Sequence, residues 1–184
     1  MLRDVKSRHE IFSKLSFGDV LDIGYTQEPN LLLKKPVGLD INKIKKPKNY
    51  LKTYVGDAEH MPLKDNSFDT VIAGELFEHI HNAGMFIGEC FRVLRKNGIL
   101  IISTPNPYYL SELIYNQFNF KKELNGDHVS IYPQRCVIRF FPKYGFKFEQ
   151  TIKHGSVVPI IGVFFKGINI PFLVKNYIYV FRKP

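Results

Sequence analysis

The chain reads as an α/β protein: a doubly wound, mostly parallel sheet with helices on both faces. Short apolar runs bounded by turn residues alternate with segments of helical period, the pattern of strands joined by crossover helices. Acids and glycines recur where those runs end, so chemistry-bearing residues collect at the carboxyl ends of the strands, where open α/β sheets bind ligands. A length of 184 residues suits one domain with a substantial core and is short for two.

Arg3–Leu15 has the pattern of a short amphipathic helix, and Asp19–Ile23 that of a buried strand. Pro29–Lys35 is a helix of at most two turns, with Pro29 at a suitable first position. Pro36–Ile41, Tyr50–Asp57 and Ser67–Gly74 are strands, the last introduced by the turn-forming "KDNS". Asn82–Gly98 is the clearest helix: Phe86, Cys90, Phe91, Val93 and Leu94 recur at near-helical spacing, Asn82 can cap its start and Gly98 can end it. Gly98–Thr104 is a fully apolar strand, Tyr108–Phe118 and Pro133–Gly145 read as helices, and Phe146–Ile152 and Lys175–Pro184 close the chain as strands.

Composition narrows the function. The apolar fraction of 45% supports a folded core, and a net charge of +9 suits either an anionic partner or a well-solvated surface. Lys43, Lys45, Lys46, Lys48 and Lys52 read as a solvated loop, since no interleaved aromatics mark a base-stacking surface; nucleic acid is not the expected partner. The longest apolar stretch, Ser156–Val174, is broken by Pro159, Gly162, Lys166, Gly167 and Pro171, which favours irregular strands or a lid over a membrane span. Cys90 and Cys136 match no zinc or disulfide spacing, so no metal is expected. With no apolar leader at the N-terminus, the expected location is cytoplasmic.

The strand ends form a constellation. Gly24 lets the backbone approach a ligand, because no Cβ stands in the way. Asp40 ends the next strand, where a carboxylate accepts ribose hydroxyls. Asp57, one strand further, can accept from an exocyclic adenine amine, while the Ala58 N–H donates to a ring nitrogen. One such acid is as readily a turn residue; three on successive strands, Asp22, Asp40 and Asp57, with a glycine turn at the first, are much harder to dismiss as that.

The stretches "VLDIG", "VGLDIN", "VGDAEHMPLKDNSFDTVIAGELFEHI" and "ECFRVLRKNGILIISTPNP" resemble the class I S-adenosylmethionine-dependent methyltransferases, in particular the small-molecule, type 11-like branch. The resemblance is strong over 17–107 and weaker beyond. It implies a Rossmann-like sheet whose last two strands form an antiparallel edge hairpin, in a single domain of residues 1–184. Residues 17–107 would bind the cofactor, and 108–184 would supply acceptor-side helices, the apolar lid and the closing strands. It implies S-adenosyl-L-methionine as cofactor, with S-adenosyl-L-homocysteine as product. Gly24, flanked by Tyr25 and Gln27, would lie beside the methionine part, and Asp22 would set the turn or reach the amine through water. Asp40 with Ile41 would hold the ribose, Asp57, Ala58 and Glu59 the adenine, and Gly74, Glu75 and Leu76 the far wall.

The sequence departs from the family at its first turn, where Gly24-Tyr25-Thr26-Gln27 replaces the usual Gly-x-Gly-x-Gly. A pyrophosphate needs those glycines, which argues against a dinucleotide, whereas a methionine carboxylate and amine can be met by Thr26 and Gln27. For proton transfer the candidates are His79, His128 and Glu78, each of which also has a plain structural reading as a cap, loop or helix-start residue. Tyr108 and Tyr109 can line an acceptor pocket. The expected function is methyl transfer to an O, N or C atom of a small-molecule, glycan or lipid-like acceptor, with the lid or a second copy of the chain in a homodimer covering it. An RNA methyltransferase and a catalytically silent domain of the same fold are the alternatives.

Overall fold

The computed structural model describes residues 2–109, 129–156 and 173–184. Five parallel strands, β1 (Val20–Ile23), β2 (Val37–Asp40), β3 (Lys52–Val55), β4 (Phe68–Gly74) and β5 (Leu94–Pro105), are joined by the antiparallel β6 (Lys147–Ser156) and β7 (Val174–Arg182). They form a seven-stranded sheet in the order β3-β2-β1-β4-β5-β7-β6. Strand order reverses between β1 and β4, so a crevice opens at their carboxyl ends. The closing strands pair at the sheet edge, as the resemblance implies.

Side-chain alternation on the strands divides the core into two layers. Ile99 and Ile101 of β5, with Ile72 of β4 and Ile178 of β7, meet Phe12 of α1 (Leu2–Leu15) on one face. Leu100 and Ile102 face the other layer, with Phe86, Ile87 and Cys90 of α2 (Ala83–Val93) and Val137 of α3 (Gln134–Phe140). The α1 packing reaches the strand ends: a Cβ added at Gly74 would lie 2.9 Å from Phe12 Cε2. Among the described residues no helix is long and apolar enough to cross a membrane.

Three elements differ from the sequence reading. Pro29–Lys35 forms turns rather than a helix. Asn30 Oδ1 takes the Leu32 N–H at 3.0 Å and Lys35 sits at φ 47°, while a segment this short cannot offset the cost of helix nucleation. The helix expected over Asn82–Gly98 stops at Val93, because Leu94 already pairs with Phe68 as the first residue of β5. Asn82 does cap it, accepting the Met85 N–H at 3.1 Å. Pro133–Gly145 divides into α3 and a 3-10 turn at Phe141–Tyr144, ended by Gly145 at φ 94°. The helix expected at Tyr108–Phe118 and the apolar stretch Ser156–Val174 lie largely outside the described residues. Lys43, Lys45, Lys46, Lys48 and Lys52 are exposed.

Candidate functional site

A cavity of about 880 Å³ opens at the carboxyl ends of β1, β2 and β4. It is lined by all twelve residues read as cofactor contacts, and by Glu78 and His79. His128 lies outside the described residues.

The first turn is built on Gly24, whose N–H donates to Leu39 O at 2.9 Å and whose φ of 75° places it in the left-handed region. A Cβ there would stand 3.2 Å from Leu76 Cδ1. Tyr25 is turned inward: its ring lies over Gly38 and 5.0 Å from the Tyr50 ring, leaving the residue 3% exposed. Its role at the cavity wall is therefore packing first. Thr26, read from the sequence as a contact for a methionine carboxylate or amine, is half-buried beside Asp40. Its N–H and hydroxyl both donate to Asp40 Oδ2, at 3.1 and 2.8 Å. Gln27 is exposed at the rim.

The acids divide by what holds them. Asp40 is buried and takes a third bond at Oδ1, from the Asn42 N–H at 2.8 Å; exposed Ile41 lies between. Asp57 is exposed and closes its own turn, accepting the Glu59 N–H at 2.8 Å, with Ala58 beside it on the cavity wall. Glu59 Oε1 accepts the N–H groups of His81 and Asn82, each at 2.8 Å, so this side chain clamps the β3 turn to the start of α2. Asp22 receives the Tyr50 hydroxyl, yet burial pushes its carboxyl up to about 7.

At the end of β4 the backbone is strained: Glu75 adopts φ 50°, a rare conformation for a non-glycine that concentrates at functional sites. Ser103 Oγ donates to its Oε1 at 2.6 Å and Asn176 Nδ2 to its Oε2 at 2.7 Å, tying β4 to β5 and β7. Glu78, in the 3-10 turn Phe77–His79, is 3% exposed. Among the described residues its Oε2 has no hydrogen-bond partner. Burial, reinforced by the nearby Glu75 carboxylate, raises its pKa, so a carboxylic acid rather than a carboxylate is favoured there.

The helix expected over Arg3–Leu15 is present as α1, but sequence reasoning singled out none of its residues for the site. Arg8 is buried against the cavity, bonded to Glu28 and 3.6 Å from Glu75 Oε1, and among the described residues its Nε lacks a partner. The signal was present in the spacing, since Arg8 stands one turn before Phe12 and so shares its inward face. His9 beside it is held down to about 4 by burial and by the Arg8 charge.

A second cavity of about 200 Å³ shares Glu75, Glu78, Pro105, Lys175 and Asn176 with the first. Pro107, Tyr109, Ile131 and Tyr132 wall it, whereas Tyr108 points outward at 53% exposure. Among the described residues no cluster of His, Cys, Asp and Glu could hold a metal ion. The residues fit an adenosyl sulfonium group instead. The volume is in the range of ligand sites, the Gly24 turn leaves room for close approach, and among the described residues buried Arg8 Nε and Glu78 Oε2 lack partners.

Comparison with known proteins agrees with this geometry. Residues 32–102 match the methyltransferase domain family. A probable S-adenosylmethionine-dependent methyltransferase of Mycolicibacterium smegmatis is 43% identical over 106 residues, 55% of this chain and 38% of that protein. An uncharacterised protein of Methanocaldococcus jannaschii is 36% identical over 132 residues, 66% of this chain and 52% of that protein. The chain thus spans about half or less of the length of these relatives. In fold it superposes on an S-adenosylmethionine-dependent methyltransferase from Thermotoga maritima with a TM-score of 0.73 at 17% identity, covering 98% of this chain and 89% of that one. A second, from Archaeoglobus fulgidus, gives 0.71 at 19% identity, covering 99% and 93%. With the acids and glycines of its strand ends gathered in one cavity, the chain has the fold of the S-adenosylmethionine-dependent methyltransferases and resembles their methyltransferase domain over residues 32–102.

Proposed function

We propose that the protein binds S-adenosylmethionine in the larger cavity and transfers its methyl group to an oxygen, nitrogen or carbon atom of a small-molecule, glycan or lipid-like acceptor in the smaller one. The observation that carries the reading is that the two cavities share Glu75 and Glu78 in their walls, which sets an acid-bearing site beside a largely apolar chamber. Asp40 accepts a hydrogen bond from a ribose hydroxyl, while Asp57 and the Ala58 N–H meet the adenine edge. Arg8, whose Nε lacks a partner among the described residues, meets the methionine carboxylate, an assignment to α1 in place of Thr26.

When bound, the sulfonium supplies an electrophilic methyl. The chain's part is then alignment and exclusion of water. Leu76 packs against Gly24, and Tyr109 and Tyr132 wall the acceptor space. Glu78 faces both cavities; with its carboxyl pushed up to about 8 by burial and by Glu75, the ionised form that can take the proton of an acceptor hydroxyl or ammonium grows as pH rises towards 8. His79 lies on the wall of the larger cavity, one residue on, as the second candidate for that step. Calorimetry with S-adenosylhomocysteine tests the reading. Saturable heat at micromolar ligand is expected, and no heat at millimolar ligand favours the silent domain.

A further inference from the structure

We propose that Thr26 is a second ribose-binding residue, its hydroxyl standing in for one oxygen of the Asp40 carboxylate. The inference rests on the methyl-donor reading and extends it to a residue of the glycine-poor turn. An ionised carboxylate has about four lone-pair positions. Three are in use on Asp40: Oδ2 takes the Thr26 N–H and hydroxyl, and Oδ1 takes the Asn42 N–H. One position remains, on Oδ1. The cis-diol of a ribose brings two O–H donors, so Asp40 can receive only one of them while Thr26 stays in place.

Thr26 supplies the missing acceptor. Its hydroxyl proton is committed to Asp40, so towards the cavity it can only accept, and Thr26 lies on the cavity wall. A hydroxyl that donates to a carboxylate is polarised and accepts more strongly for it. One ribose hydroxyl therefore goes to Asp40 Oδ1 and the other to Thr26 Oγ1. This gives a chemical purpose to the residue that replaces a family glycine: the turn loses backbone freedom and gains a ribose contact.

The test measures binding of S-adenosylhomocysteine and its 2′-deoxy and 3′-deoxy forms by calorimetry, with the unaltered protein, Thr26→Val and Thr26→Ser. Thr26→Val keeps the backbone N–H on Asp40 and removes only the hydroxyl; its unfolding midpoint is measured alongside. It is expected to weaken S-adenosylhomocysteine about tenfold, with Thr26→Ser restoring most of the loss. The deoxy form that lacks the hydroxyl taken by Thr26 is expected to bind the unaltered protein and Thr26→Val alike. Unchanged or tighter binding by Thr26→Val means that the hydroxyl is displaced by the ribose, and overturns the proposal. So does an equal loss for all three ligands. If the unaltered protein fails to bind S-adenosylhomocysteine at all, the methyl-donor reading falls with it.

Discussion

Asp22 and Asp40 end neighbouring strands, are 6% and 7% exposed, and line the same cavity, yet they are held very differently. Asp40 collects three donors from two turns. Asp22 collects the Tyr50 hydroxyl, and burial outweighs it, raising the carboxyl to about 7. At the far end, Glu78 continues the second pattern, with one oxygen lacking any donor among the described residues. Equal depth thus does not mean equal chemistry: the Asp40 carboxyl is tied down by three donors from two turns. A carboxyl left with fewer donors holds a proton that it can exchange.

The largest expected effect concerns the pH dependence of stability. The folded-state pKa of Asp22 is raised from 3.8 to about 7, so the folded protein binds this proton more tightly than the unfolded chain. Its contribution is fully present below pH 4 and is lost as pH rises towards 7, by about 4 kcal/mol over roughly three pH units. Asp22→Asn should remove that loss, visible as a flatter dependence of urea-unfolding stability between pH 4.5 and 7.5. Equal slopes in the two proteins would erase the contrast with Asp40. Next comes Asp40→Ala, which should weaken S-adenosylhomocysteine about a hundredfold, or 2–3 kcal/mol, in calorimetry. An effect below threefold would make Asp40 a turn residue only.

Smaller effects sharpen the picture at the turns. Gly24→Ala should destabilise the fold by about 1–2 kcal/mol in urea, because an alanine at φ 75° is strained and its methyl would crowd Leu76. Asp57→Ala should cost about 1 kcal/mol of ligand affinity, roughly fivefold, since its exposed carboxyl competes with water. A loss there as large as for Asp40 would show that exposure does not separate the two acids.

Much of the site was legible because its signals are local. Gly24, Asp40, Asp57 and Gly74 sit at the ends of apolar runs, and a parallel sheet necessarily brings such ends to one edge. Arg8 was not singled out, because its helix precedes the first strand and nothing local says that it lies across β4. The Thr26–Asp40 pair was not legible for a related reason: the partner is fourteen residues away, at the end of the next strand. The end of α2 was misplaced because helical spacing persists through Leu94, while pairing with Phe68 decides that residue.

What the sequence determined by itself is the alternation of elements, the class of sheet and the acids at its edge, since periodicity and strand-end chemistry are properties of neighbours along the chain. What only the tertiary structure decided is which donors reach each acid: Tyr50 for Asp22, Thr26 and Asn42 for Asp40, and none for one oxygen of Glu78 among the described residues. Burial and hydrogen bonding are set by groups brought together from distant positions, and these set whether a carboxyl holds its proton or gives it up.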